Sequence, residues 1–178
     1  LLRGDGVIGT QMSNLGLEQF LSAQGLQLHR TQVGDRYILE KMRGGQWNLG
    51  GEPSGHVIMS DYSTTGDALI AALQVLALLV EEGRPLSEVG RAFAPVPQVL
   101  RNMRYGETDP LEAPDVQAAI EAGRVKLGAA GRVLIRKSGT EPVIRVMVEG
   151  ADQAHITEVC EQICSAIEQV QSPKAKAG

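Results

Sequence analysis

Cysteine is scarce in this sequence of 178 residues, occurring only as Cys160 and Cys164. The two lie four apart in a helical pattern, so both thiols share one face, and a disulfide within one straight helix is geometrically awkward. They read as core packing, since a metal site would need further ligands and only His155 lies near. Long apolar runs are also missing. The most apolar stretch, Ala68 to Val80, is broken by Gln74 and falls short of the roughly 20 residues that span a bilayer. It reads as a buried helix. An excess of positive charge is lacking too: the formal net charge is −4. That removes any general attraction to polyanions and argues against nucleic acid or an anionic membrane as principal partner. Any anion must therefore be held by a local group of donors. No basic leader with an apolar core opens the sequence, and a cytoplasmic protein is the expectation. Internal repeats and low-complexity tracts are absent as well.

What is present is an ordinary globular composition, 43% hydrophobic, enough to bury one large core or two small ones. Val7 and Ile8 read as the end of a buried strand with no earlier partner, the expectation being that an N-terminal portion precedes. Ser13 or Asn14 can cap a helix to about Gln24, with Gly25 in the left-handed position that ends one. Strand 26–31, helix 35–42, a short strand at 47–49, strand 56–60, helix 67–82 and helix 86–93 follow. Helices alternating with short strands point to an α/β layered domain over 1–94. The prolines of Ala94-Pro95-Val96-Pro97 mark a boundary. Residues 95–171 then read as a smaller α+β domain: strand 98–104, helix 114–122, strands 132–136 and 143–149, and a patterned helix 153–170. The polar tail 172–178 is expected to be disordered.

Two polar segments carry the chemistry. Arg136-Lys137-Ser138-Gly139-Thr140-Glu141-Pro142-Val143-Ile144-Arg145 joins two apolar strands. Arg136 and Arg145 supply planar forks that grip phosphate oxygens, Ser138 and Thr140 supply hydroxyl donors, and Gly139 lets the backbone amides approach. The alternative is a tight hairpin turn with solvated arginines. A nucleotide P-loop does not fit, because its residue order and following helix are missing. The second segment is Gly50-Gly51-Glu52-Pro53-Ser54-Gly55-His56. Glu52 can accept from neighbouring sugar hydroxyls, Ser54 can add a bond, and His56 can orient the sugar or shuttle a proton. A plain Gly/Pro turn is the alternative there. In Val33-Gly34-Asp35-Arg36, Asp35 and Arg36 either cap the next helix, pair with each other, or touch the ligand, with Arg36 a secondary sugar-binding candidate.

Taken together and in this order, the two loops resemble the sugar-recognition and phosphate-binding loops of the α-D-phosphohexomutases. Gly9 to Leu17, Val33 to Tyr37, Thr64 to Asp67 and Pro97 to Val99 look most like the bacterial branch that works on glucosamine phosphates. The resemblance covers nearly the whole chain. It implies domains 3 and 4 of a four-domain enzyme that interconverts glucosamine 6-phosphate and glucosamine 1-phosphate for cell-wall precursor synthesis. Related activities on glucose or mannose phosphates, and a non-catalytic sugar-phosphate module, are the other readings. It further implies that the phosphoserine and the Mg2+ loop belong to the missing N-terminal domains 1 and 2, that this part alone is inactive, and that the complete enzyme is a candidate homodimer. Asp5, in Arg3-Gly4-Asp5-Gly6, lacks the clustered carboxylates of a magnesium site.

Overall fold

The structure, a computed structural model, describes residues 2–106, 108–139 and 141–171; the tail expected to be disordered and Thr140 lie outside them. Contacts divide the chain into two compact units, Leu1–Pro95 and Val96–Gly178.

In the first unit, β1 (Gly6–Thr10), β2 (Gln27–Thr31), β3 (Leu49–Gly51) and β4 (Val57–Met59) form a sheet in the order β2-β1-β3-β4. β1 runs parallel to both β2 and β3, and only β4 is antiparallel. Connections between parallel strands need a crossover, here supplied by α1 (Leu15–Ala23) and α2 (Asp35–Arg43). Local chemistry fixes both ends of α1. The Asn14 side chain accepts from the Gly16 amide at 2.8 Å, and Gly25 beyond the last turn has φ +72°. α2 carries Asp35 in its first turn and Lys41 and Arg43 in its last, which complements the helix dipole. It buries Ile38 and Met42 against Ile8 and Ile58 of the sheet, each such side chain contributing about 2 kcal/mol by leaving water. α1 is tied to β2 by Arg30, which donates to Glu18 at 2.8 Å and to the Ser13 carbonyl at 2.6 Å.

α3 (Ala68–Glu82) departs from expectation. The helix forms, with Asp67 accepting from the Leu69 and Ile70 amides at 3.0 Å. It is not buried, however. No residue of α3 is buried, and Leu69 and Val80 are 78% and 84% exposed. The expected burial fails because no described element covers those side chains. α4 (Leu86–Val89) is shorter than the expected helix to Phe93, because Gly90 contributes little helix propensity.

In the second unit, β5 (Gln98–Arg104), β6 (Gly131–Lys137) and β7 (Val143–Gly150) form an antiparallel sheet in the order β5-β7-β6. α5 (Pro114–Leu127) and α6 (Gln153–Gln171) pack with it around one core. On α6 the buried residues are Ile156, Val159, Cys160, Ile163, Cys164 and Ile167, the spacing of one broad helical face. Both cysteines are buried and free. Close approach of α5 and α6 requires Gly123, where a Cβ would come within 2.9 Å of Val159 Cγ1. α5 runs five residues beyond its expected end at 122, to Leu127, whose side chain joins the core. None of the described helices is long and apolar enough to cross a membrane.

Candidate functional site

Strand register decides where the arginines of the second unit point. β6 pairs with β7 so that Arg136 stands directly opposite Arg145, and β5 pairs with β7 so that Asn102 stands opposite Arg145. Directly paired residues share a sheet face, with Cβ atoms about 5 Å apart. Arg136, Arg145 and Asn102 therefore form a row across three strands, next to the 138–142 turn. Arg104 lies opposite Val143 and diagonal to Arg145 on that face.

Two neighbouring cations, Arg132 and Lys137, are neutralised by carboxylates. Arg132 donates to the fully buried Glu149 carboxylate at 2.6 and 3.0 Å. Lys137 is paired with Asp109. The hydrogen bond from Lys137 holds the Asp109 carboxyl below its ordinary value and raises the Lys137 ammonium in turn. Among the described residues neither Arg136 nor Arg145 pairs with a carboxylate, and the Nε of Arg136 is buried without a partner. Opposed like charges on a sheet are destabilising unless an anion joins them. The turn itself begins with the Ser138 amide donating to the Val143 carbonyl at 2.7 Å, and Gly139 has open space where a Cβ would stand. The hydroxyl expected of Thr140 belongs to a residue outside those described.

In the first unit the β3–β4 hairpin carries the other loop. The Glu52 amide donates to the His56 carbonyl and the Gly55 amide to the Glu52 carbonyl, both at 3.0 Å. Gly55 adopts φ +96°, a conformation that an L side chain rarely takes. This closes a tight turn with Ser54 exposed at its tip. Glu52 keeps only 11% of its side chain accessible, while His56 is 61% exposed. His56 Nδ1 donates to Asp35 Oδ1 at 3.2 Å and lies 3.5 Å from Glu52 Oε1. Asp35 thus turns to the loop. Arg36 pairs with Glu40 at 2.8 Å along its own helix and does not join this group. An apolar cavity of about 350 Å³ adjoins, lined by Leu17, Leu28, Leu49 and Val57 together with Glu52 and His56. Another of about 370 Å³, lined by Arg3, Arg43, Trp47 and Ser60, contains none of the expected site residues.

Asp35, Glu52 and His56 are the one group of three metal-ligating side chains found close together among the described residues, their ligand atoms within 4.8 Å of one another. Magnesium fits them poorly, because it demands near-octahedral oxygen donors and this set includes an imidazole nitrogen.

Three residues escaped the sequence reading: Asn102 and Arg104, and Asp35 as a partner of His56. The first two depend on which strand lies beside β7, which no local motif states. Asp35 carried a weak signal in its place at a helix start.

Comparison with known proteins gives the following. The family model "Phosphoglucomutase/phosphomannomutase, alpha/beta/alpha domain III" matches residues 1–96, and that family's C-terminal domain matches residues 98–166. The chain is 58% identical over 166 residues to the phosphoglucosamine mutase of Granulibacter bethesdensis, covering 93% of this chain and 36% of that protein. It is 58% identical over 177 residues to that of Rhodospirillum centenum, covering 98% and 37%. The chain thus spans a little over a third of the length of the relatives it matches. A solved structure of Aspergillus fumigatus N-acetylphosphoglucosamine mutase in complex with GlcNAc-6P and magnesium superposes with a TM-score of 0.72 at 19% identity, over 91% of this chain and 41% of that one. By these matches, which cover almost its entire length, the chain belongs to the phosphoglucomutase/phosphomannomutase family, carrying its domain III and its C-terminal domain.

Proposed function

We propose that this chain is the substrate-holding portion of a phosphoglucosamine mutase, which interconverts glucosamine 6-phosphate and glucosamine 1-phosphate in the cytoplasm. The observation that carries this reading is the cross-strand row of Arg136, Arg145 and Asn102, with a buried guanidinium nitrogen that has no partner. A phosphate monoester supplies what the row lacks: a dianion with several acceptor oxygens, matched by two planar forks, an amide and the donors of the turn. Ser138, Gly139 and Thr140 complete the cradle. Glu52, Ser54 and His56 read the sugar hydroxyls, and Arg36 would serve as a secondary contact only by leaving its pairing with Glu40.

In this division of labour the present residues bind and orient. Phosphoryl transfer depends mainly on positioning and on charge stabilisation in the transition state. A loop that holds the phosphate not being transferred contributes the first directly. Magnesium, when bound in the complete protein, would supply charge neutralisation at the phosphoryl group, and in this reading, which the poor fit of the Asp35–Glu52–His56 group supports, residues outside this chain hold it. The complete protein is proposed to act as a homodimer on a hexosamine phosphate.

The test is a titration of the chain with inorganic phosphate and with glucosamine 6-phosphate, following the amide resonances of 131–150 and 49–59. Affinity near 1 mM, about 4 kcal/mol, is expected, with shifts in the first set for both ligands and in the second for the sugar phosphate only. Shifts confined to other residues would remove the reading. Equal turnover of glucose or mannose phosphates by the complete protein would instead favour a broader phosphohexomutase.

A further inference from the structure

α3 is apolar on more sides than its own sheet can cover. Ile70, Ala71 and Gln74 are half-buried, and the helix lies against β4. Away from them Leu69, Leu73, Leu76 and Val80 are all exposed. Their spacings of four, three and four residues are those of a seam that packs into a second helix. No charged residue occurs from Ala68 to Val80, and a helix apolar all round belongs inside a larger body. A bilayer surface is the wrong cover, because helices that lie in that interface carry lysine and arginine on a polar face, and α3 has neither. A second copy of the chain is too small a match. A 15-residue helix offers a strip about 22 Å long and about 10 Å wide, far under the roughly 800 Å² per partner of a stable dimer. A segment of the same polypeptide needs less area, since the shared backbone removes most of the entropy lost on association. Such a segment is within reach. Leu2, the first described residue, shares a cavity of about 200 Å³ with Gln74 of α3 and with Leu49 and Met59 of the sheet, so the backbone enters the first unit beside this helix. The chain spans only 36% and 37% of two relatives, and its matches to the family's domain III and C-terminal domain put most of their remaining length before domain III.

We propose that a helix from the part of the complete protein that precedes Leu2 docks along Leu69, Leu73, Leu76 and Val80 of α3, presenting apolar side chains at the same alternating spacing. In this chain by itself the stripe meets solvent and tolerates polar substitution; in the complete protein it is core. The contact reaches further than α3. Because α3 lies against β4, and β4 begins at Val57 next to His56, the docked helix braces the β3–β4 hairpin against the rest of the protein. The inference stands on the family assignment and holds whichever hexose phosphate is turned over.

The experiment replaces Leu76 by the photo-crosslinking residue p-benzoylphenylalanine in the complete protein, irradiates it, and identifies the joined peptides by mass spectrometry. The expected product is a crosslink within one polypeptide, from position 76 to a residue that precedes Leu2. Crosslinks to a second polypeptide, crosslinks to residues 96–178, or no crosslink at all overturn the proposal. Should the bulky residue block folding, thiol labelling of Leu76→Cys decides, with Glu82→Cys at an exposed position of the same helix as the reference. Modification of Leu76→Cys at least about tenfold slower than the reference, and unchanged on dilution, supports the docked helix. Equal rates, or protection that is lost on dilution, overturn it.

Discussion

Replacing Arg145 by methionine separates two roles that the structure gives it. Without a ligand Arg145 faces Arg136 across one pair of strands, with no carboxylate between them among the described residues. Opposed like charges at such a position cost roughly 0.2–1 kcal/mol, and methionine retains most of the apolar stem that an arginine packs. The unliganded variant should therefore unfold at the same temperature as the wild type or slightly above it. Phosphate reverses the order. At about 10 mM phosphate and an affinity near 1 mM, binding stabilises the folded chain by RT ln(1 + 10), about 1.4 kcal/mol. For a unit of this size that raises the midpoint by about 6–10 °C. Removing one arginine fork costs about 1.5–3 kcal/mol of affinity, which weakens binding more than tenfold and cuts the shift to about 2 °C or less. Scanning calorimetry of both proteins in phosphate and in chloride of equal ionic strength reads these numbers directly, the chloride arm removing general screening. Identical phosphate shifts in the two proteins would refute the reasoning, as would a large loss of stability in the unliganded variant.

Three further outcomes follow from particular contacts. Glu149→Ala should destabilise the second unit by about 3–5 kcal/mol, because it leaves the Arg132 guanidinium beside an empty, fully buried position; denaturant unfolding measures it, and a loss below about 1 kcal/mol would mean that the pair is not sequestered. The Asp109 carboxyl is held below its ordinary 3.8, so the stability it contributes is complete above that value and is lost as pH falls through the lower folded one. The stability gap between wild type and Asp109→Asn should accordingly close below about pH 4, and thermal midpoints from pH 7 to 2 show whether it does. Leu76, 56% exposed on α3, should tolerate lysine with a change under about 0.5 kcal/mol and less self-association in sedimentation, whereas a loss above about 2 kcal/mol would show that the face is covered.

Much of the secondary structure was legible, and for identifiable reasons. Asn14, Gly25 and Asp67 act at helix ends through local bonds that sequence spacing alone specifies. The apolar face of α6 is equally local. Burial was less legible than helicity. Ala68 to Val80 has the composition of a core helix, but composition does not say whether a neighbour exists, and among the described residues none buries it. Sheet order was the other gap. β7, third of the three strands in sequence, lies between the other two; the partnership of Asn102 with Arg145 is a consequence of that order, as no motif spans the 42 residues between them. The loop residues themselves stood out, whereas the group brought to His56 by α2 did not.

The pairing of Arg136 with Arg145 also bears on which insertions and deletions the chain can accept. Side chains alternate faces along a strand with period two, so an indel of one residue within 131–137 or 143–150 that shifts the ladder would send one arginine to the opposite side of the sheet. Changes in length confined to 138–142 leave the ladder, and hence the pair, in step. Lineages descended from a common ancestor of this fold should therefore hold constant the parity of the residues on either side of that turn, while its own length answers to the phosphate it cradles.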